Sequence, residues 1–328
     1  MNPSAPSISV VIATYRRESV LLDTINYLLR LDPGPAEILV IDQTKEHAYH
    51  TADALGELAN AGKIRWLRLN EPSITHAMNV GLSEAQQDVV LFLDDDVIPA
   101  ANLIAAHANT HTRHEVSVVA GQVLQPGEYS LSNEQSGAAF RFCSSRRQYV
   151  SEFIGCNFSV RREVGLSLGG FDENFVHAAY RFEAEFAARA LAAGEKILFE
   201  PEASIRHLKA GVGGIRAYGD YLTTMKPSHA VGEYYYLLRA RQIRGRLLKM
   251  IRRPLRAVRT KHHLSHPWWI PATLIAEARG FIWAVGLALR GPRLIGEQSS
   301  DGGRMTDDGG PETDDRCLSS VVGRRSLK

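Results

Sequence analysis

"VVLFLDDDVIP", Val89 to Pro99, is the stretch on which the reading of this chain turns. An unbroken apolar run of this kind reads as a strand covered on both faces. It leads straight into Asp94, Asp95 and Asp96. Three adjacent carboxylates repel one another unless positive charge sits among them. The run is therefore either a solvated turn that caps a helix starting near Ala100, or a cation site. Its place at the end of the most apolar strand in the chain favours the second reading.

The surrounding sequence repeats the pattern. "SISVVIATY", "AEILVIDQT" and "KIRWLRLN" read as further strands, and "VSVVAGQVLQ" follows the acidic run as another. Between them lie helical periodicities: "ESVLLDTINYLLRL", ended by "DPGP", then "SITHAMNVGLSEA" with Ser73 as N-cap, and "NLIAAHANTHTRH". Strands alternating with helices predict an α/β fold, a Rossmann-like, mostly parallel sheet flanked by helices. In such sheets ligands bind beyond the carboxyl ends of the strands. The residues there are Thr14, Tyr15, Arg16 and Arg17 after the first strand, Asp42, Gln43 and Thr44 after the second, and the aspartates after the fourth. Neither GxGxxG nor GxxxxGK[ST] follows a strand, so the phosphates of a bound nucleotide need another counter-charge. A divalent metal on carboxylates supplies one.

A second informative segment runs from "GCNFSVRRE" through "GGFDENF" to "FEAEFAARALAAGEKILFEPEASIRH". The spacing predicts a helix over 181–193, with Gly194 at the C′ place. Phe182, Phe186 and Ala190 repeat at the spacing of a core face, and Glu185 and Arg189 form an i,i+4 ion pair in the favourable order. Glu183 lies two residues from Glu185 and so on nearly the opposite side. It is either a general base or a first-turn complement to the helix dipole. His207 ends a strand that reaches the same rim, as a packed residue or as a metal ligand.

In this order and spacing the motifs resemble glycosyltransferase family 2, inverting enzymes of the GT-A fold that use nucleotide-sugar donors. The resemblance covers about residues 7 to 210. It implies that Thr14, Tyr15, Arg17 and Asp42 contact the nucleotide, Asp42 at its base, with Asn79, Asp94 and Asp95 also on the donor. It implies Asp96 and His207 as ligands of a divalent metal, Mn2+ or Mg2+, and Glu183 as the base that deprotonates an acceptor hydroxyl. Asn157 and Asp172 fall on the acceptor side. The chain departs from the family where Glu-Asp is usual, having Phe182-Glu183, and where an arginine often precedes Asn79, having Met78. A sugar nucleotidyltransferase and a catalytically inactive nucleotide-binding homologue are the competing readings.

The chain has 328 residues, a formal net charge of +2 and 45% apolar residues, enough for a large core. Three scattered cysteines without metal-ligand spacing point to a reducing compartment, and no signal peptide is read at the N-terminus. We expect a catalytic domain over 1–225, a basic amphipathic helical appendage over 226–296 and a disordered tail over 297–328. The appendage interleaves Lys and Arg with Leu, Ile and Met, near Trp268, Trp269 and Trp283. A solvated charged helix, a nucleic-acid patch and a membrane-surface element are its three readings. The flanking tryptophans favour an anionic membrane surface, and no nucleic-acid motif is present. Residues 268–289 are long enough to span a bilayer, but Pro271, Glu277 and Arg279 interrupt them. The expectation is a cytoplasmic protein, peripheral on the membrane's cytoplasmic face, with a glycan or lipid-linked acceptor.

Overall fold

Each apolar strand sends alternate side chains to opposite faces, so a sheet built from such strands needs cover on both. In the computed structural model, which describes residues 5–131, 140–214, 221–240 and 244–296, that cover is helical. The expected disordered tail and Cys317 lie outside the described residues. β1 (Ile8–Thr14), β2 (Glu37–Asp42), β3 (Arg65–Arg68) and β4 (Val89–Leu93) form a parallel set in the order β3-β2-β1-β4. Ile8, Val10, Ile12, Leu91 and Leu93 pack in one core with α1 (Ser19–Leu29), α2 (Tyr49–Asn60) and α4 (Leu103–His114). Val11, Leu39, Ile41, Val90 and Phe92 pack in the other with α3 (Ile74–Glu84) and α6 (Phe182–Ala192).

The other half of the sheet is mixed. β8 (Asn157–Arg161) runs against β4, with Asn157 opposite Leu93, and β6 (Val118–Leu124) runs against β8. β9 (Ile197–His207) lies parallel to β6, while β5 (Val97–Pro99) and β7 (Gln148–Val150) pair antiparallel to it. The expected mostly parallel sheet is thus a mixed one. Parallel pairing needs a crossover back to the starting end of the neighbouring strand. β8 instead enters beside the carboxyl end of β4 and must run the other way. The register of β5 on β9 sets Val97 opposite His207, which brings that histidine to the acidic turn.

Local predictions of the sequence hold at several points. Ser73 caps α3, its hydroxyl accepting from the His76 N–H at 3.4 Å. Arg189 pairs with Glu185 at 2.8 Å, and its guanidinium also donates to the Leu168 and Gly170 carbonyls, anchoring α6 to the turn that follows the short α5 (Arg162–Ser167).

The C-terminal helices are α7 (Ala230–Arg239), α8 (Arg246–Val258), α9 (Lys261–Ser265) and α10 (Ile270–Arg290). α7 and α10 share the core of the sheet: Tyr234, Tyr235, Ala284 and Leu287 belong to the cluster that contains Phe92 and Phe158. Pro267–Arg290 is long and apolar enough to cross a membrane by length and composition. Yet Thr273, Ala276, Gly280, Ala284 and Leu287 form a buried face along it. Buried Glu277 accepts from the Tyr234 hydroxyl at 2.9 Å and lies 3.0 Å from Arg253 of α8. At Gly280 the backbone of α7 comes so close that an added Cβ would sit 2.6 Å from that of Ala230. Gly280→Ala is therefore expected to destabilise the protein by about 1–3 kcal/mol through overpacking, read as a lower denaturant midpoint at unchanged slope.

Candidate functional site

Their partners sort the three carboxylates of the acidic run. Asp95 engages Thr14 and Arg17, whereas Asp94 and Asp96 approach His207. Buried Asp95 accepts from the Thr14 hydroxyl at 2.7 Å and lies 3.1 Å from Nε of Arg17. Burial pushes its carboxyl up to about 7, against the Arg17 charge and the Thr14 hydrogen bond. Asp96, also buried, accepts from the Ala210 N–H at 2.7 Å and lies 3.1 Å from Nε2 of His207 and 3.5 Å from Arg17. For Asp96 burial acts upward, but the His207 and Ala210 hydrogen bonds and the cationic neighbours outweigh it and hold the carboxyl below its ordinary range. His207 is the reciprocal case. Burial acts downward, and the Asp96 hydrogen bond with the two aspartate charges raises it overall.

Asp94 lies 3.5 Å from the His207 imidazole. One ligand atom each from Asp94, Asp96 and His207 falls within 4.8 Å of the others. Two carboxylates and an imidazole, already drawn together around shared charge, fit a divalent cation. The oxygens suit Mg2+ or Mn2+, and the nitrogen favours the softer of the two, Mn2+.

The cluster opens onto a cavity of about 460 Å³. Tyr15, Arg17 and Gln43 line it from the β1–β2 rim, and Asp94, Asp95 and His207 from the acidic turn. Gly155, Cys156 and the segment 177–184 line it from the other side. That segment carries three non-glycine residues in the left-handed region, His177 (φ 57°), Ala179 (φ 47°) and Arg181 (φ 76°). Backbone strain of this kind, of order 1–3 kcal/mol per residue, collects at functional sites. It delivers Glu183 to the first turn of α6, in the cavity wall. Burial pushes the Glu183 carboxyl up to about 7, and the Asp94 charge adds to the rise against backbone hydrogen bonds at Glu183 and Gly155. Gly155 is a close fit there, since a Cβ on it would lie 3.1 Å from Oε1 of Glu183.

Other sequence-predicted residues do not reach this cavity. Asp42 is fully buried and turned into the protein, accepting from the Thr44 N–H at 2.8 Å and the Trp66 indole at 3.0 Å, with the His47 imidazole at 2.9 Å. Its neighbour Gln43 is the one on the wall. Asn79 donates to the Phe171 carbonyl and accepts from the Phe171 N–H, pinning α3 to the "GGFDENF" turn. Asn157 donates to the carbonyls of Gln122 and Ala203 and meets His107 at 3.0 Å, tying three strands to α4. Asp172 accepts from the Tyr235 hydroxyl at 2.5 Å and from the backbone of Asn174 and Arg293. These three side chains make long-range structural bonds, and none of them lines the cavity. Thr14 serves through Asp95. Gln43, which the sequence placed at the rim directly after the second strand but without a role, stands on the wall, and Gly155, which gave no signal, lines it too.

Residues 9–167 match the family described as Glycosyl transferase family 2. A glucosyl-dolichyl phosphate glucuronosyltransferase of Haloferax volcanii is 24% identical over 218 residues, covering 61% of this chain and 68% of that one. Among solved structures, GalNAc-T7 with UDP, GalNAc and Mn2+ superposes with a TM-score of 0.53 at 16% identity, over 74% of this chain and only 52% of its own. TarS 1–349 of S. aureus with UDP-GlcNAc gives 0.53 at 15% identity, over 81% and 79%. The mannosyltransferase PcManGT of Pyrobaculum calidifontis with GDP-Man and Mn2+ gives 0.50 at 17%, over 88% and 80%. At these identities the structural likeness speaks for the fold.

The cluster generates a direct expectation. Titrated with Mn2+ and followed by the electron paramagnetic resonance signal of the free ion, Asp96→Ala and His207→Ala should each bind at least about tenfold more weakly than the unaltered protein. Thr51→Ser, remote from the cluster, should bind as the unaltered protein does.

Proposed function

We propose that this chain, a glycosyltransferase of the family 2 type with the GT-A fold, moves a sugar with inversion from a nucleoside diphosphate to the hydroxyl of a glycan or lipid-linked acceptor, in the assembly of a cell-surface polysaccharide or glycolipid. One observation carries the reading. Glu183, with its carboxyl near neutrality, and the Asp94, Asp96 and His207 cluster open onto the same cavity from different sides. A base and a charge-holding group so placed serve an in-line displacement. Glu183 takes the proton of the acceptor hydroxyl while that oxygen bonds to the anomeric carbon. On the far side, the bond from that carbon to the diphosphate breaks and its electron pair leaves with the nucleoside diphosphate. With a divalent cation held by Asp94, Asp96 and His207, the negative charge gathering on the leaving group would be offset. Tyr15 and Gln43 stand at the donor end of the cavity, and the 177–181 loop shapes the other.

Glu183 acts deprotonated, so the sign of the pH dependence follows. With a carboxyl near 7, kcat/KM rises tenfold per pH unit below that value and levels above it. Release of nucleoside diphosphate from UDP-, GDP- and dTDP-sugars, with a membrane lipid extract as acceptor, tests the whole reading. Glu183→Gln should lose about 10²–10⁴ in rate while keeping nucleotide binding. Release of pyrophosphate instead would establish a nucleotidyltransferase, and binding without turnover an inactive homologue.

A membrane setting is supported by α8. Leu247, Ile251 and Leu255, at i, i+4 and i+8, are 66%, 72% and 63% exposed, while Arg246, Lys249, Arg252, Arg253 and Arg256 occupy the opposite side. None of the residues of α8 is buried. An apolar stripe flanked by cations suits a helix lying in an anionic interface, with about 1 kcal/mol per basic residue near the surface. The buried face of α10 and its Glu277 anchor favour a helix that lies along the protein rather than one that crosses the bilayer. The Haloferax volcanii relative, named for a dolichyl phosphate-linked acceptor, supports a lipid-linked acceptor here. In flotation with phosphatidylserine vesicles, replacing Leu247, Ile251 and Leu255 together by Ser should leave the protein at the bottom of the gradient. Flotation unchanged by the triple substitution would remove the reading.

A further inference from the structure

Beside the cavity lies a second hollow, also of about 460 Å³, between the 177–181 loop, the segment before α7 and the outer side of α10. His177 stands in the wall of both, which makes the two hollows neighbours. The second hollow is lined mainly by apolar surface from Pro227, Ile282 and Trp283. The Trp283 ring meets the His177 imidazole edge-on at 5.2 Å. The charged groups on its wall are the exposed cations Lys226 and Arg279, and among the described residues no carboxylate lines it. Arg279 donates to the Met225 carbonyl at 3.3 Å, which holds the Lys226 segment against α10. Outward from the hollow, the exposed side of α10 continues with Leu274, Ile275, Phe281 and Leu289.

Two cations at the rim of an apolar slot complement a ligand with an anionic head and an apolar chain. Glu183, where a reacting hydroxyl must arrive, lines the cavity of which His177 is also a wall. We infer that this hollow is the acceptor subsite for a lipid-linked phosphate: Lys226 and Arg279 hold the phosphate, Ile282 and Trp283 hold the first part of the chain, and the head group beyond the phosphate passes His177 into the cavity. The inference rests on the lipid-acceptor reading above and adds the place and the residues. It also gives the exposed face of α10 a purpose, since a chain leaving the hollow along that face enters the bilayer against which α8 lies.

The test uses the full chain and decyl phosphate below its micelle threshold, with decanol and inorganic phosphate as comparisons, by calorimetry. The unaltered protein should bind decyl phosphate more tightly than either comparison. Lys226→Ala with Arg279→Ala should weaken that binding by about tenfold or more, the size of one lost charge-assisted hydrogen bond. Arg279→Lys, which keeps the charge, should retain most of it, and Trp283→Ala should weaken decyl phosphate while leaving inorganic phosphate unchanged. Nucleotide binding, equal in all variants, certifies their fold. If the double alanine variant binds decyl phosphate as the unaltered protein does, the subsite is overturned and the lipid-acceptor reading stands. Should inorganic phosphate bind as tightly as decyl phosphate, the hollow is a bare anion site and the inference falls. If the unaltered protein binds nucleotide but no decyl phosphate, the lipid-acceptor reading falls and takes the subsite with it.

Discussion

One buried guanidinium holds the site together. Arg17 is 5% exposed, and it lies against Asp95 at 3.1 Å and Asp96 at 3.5 Å. It also donates to the carbonyls of Ala210 and Val212, closing the segment after β9 over the loop after β1. Removing one partner of such a buried pair leaves the other charge uncompensated, at a cost of about 3–5 kcal/mol. The backbone bends to make the arrangement: Arg16 sits in the left-handed region at φ 54°, its N–H donating to the Thr44 hydroxyl, and this aims Arg17 inward beneath the acidic turn. The three aspartates tolerate one another because one of them is used up in this way. Asp95 and Thr14 become the floor, and Asp94 and Asp96 are left on the side where His207 arrives.

That arrival is a matter of register. β5 is three residues long, and its pairing with the end of β9 is what places His207 opposite Val97, one residue past the aspartates. A slip of a single residue would turn His207 to the other face. The candidate metal-ligating set therefore draws on two parts of the chain more than a hundred residues apart, locked by a strand too short to be stable alone. Its stability comes from the long β9, which also pairs with β6 and β7.

The parallel half of the fold was legible because its code is local. Strands β1, β2 and β4 are largely apolar runs, Ser73 caps α3 as its side chain allows, and Glu185 meets Arg189 one turn away. Glu183 could be singled out because its neighbour at two residues already had a structural partner. The antiparallel half was not legible, since nothing in "GCNFSVRRE" records the end of the sheet from which that strand enters. α2 escaped because its buried face is thin, with only Thr51 and Leu55 buried. The structural bonds of Asn79, Asn157, Asp172 and Asp42 were not legible for one shared reason. Their partners (Phe171, Ala203, Tyr235 and Trp66) are distant in sequence, so buried amides and carboxylates read as available when they are already satisfied.

The strained loop joins the two ends of the argument. Left-handed backbone at His177, Ala179 and Arg181 is occupied by residues other than glycine, and all three line the cavity. Such a conformation persists only where the surroundings over-determine it. Here they do so from the C-terminal helices. Arg181 pairs with Glu233 of α7 at 2.9 Å. Gly232 brings the α7 backbone so near that a Cβ there would lie 2.3 Å from the Tyr180 carbonyl oxygen. α7 is in turn fixed by α10 through Gly280 and the Glu277–Tyr234 hydrogen bond, and Glu277 reaches α8 through Arg253. The position of Glu183 is thus determined from α7, which α10 and α8 hold in place. A continuous run of packed and hydrogen-bonded contacts therefore joins α8 and α10, through α7 and the left-handed loop, to the first turn of α6.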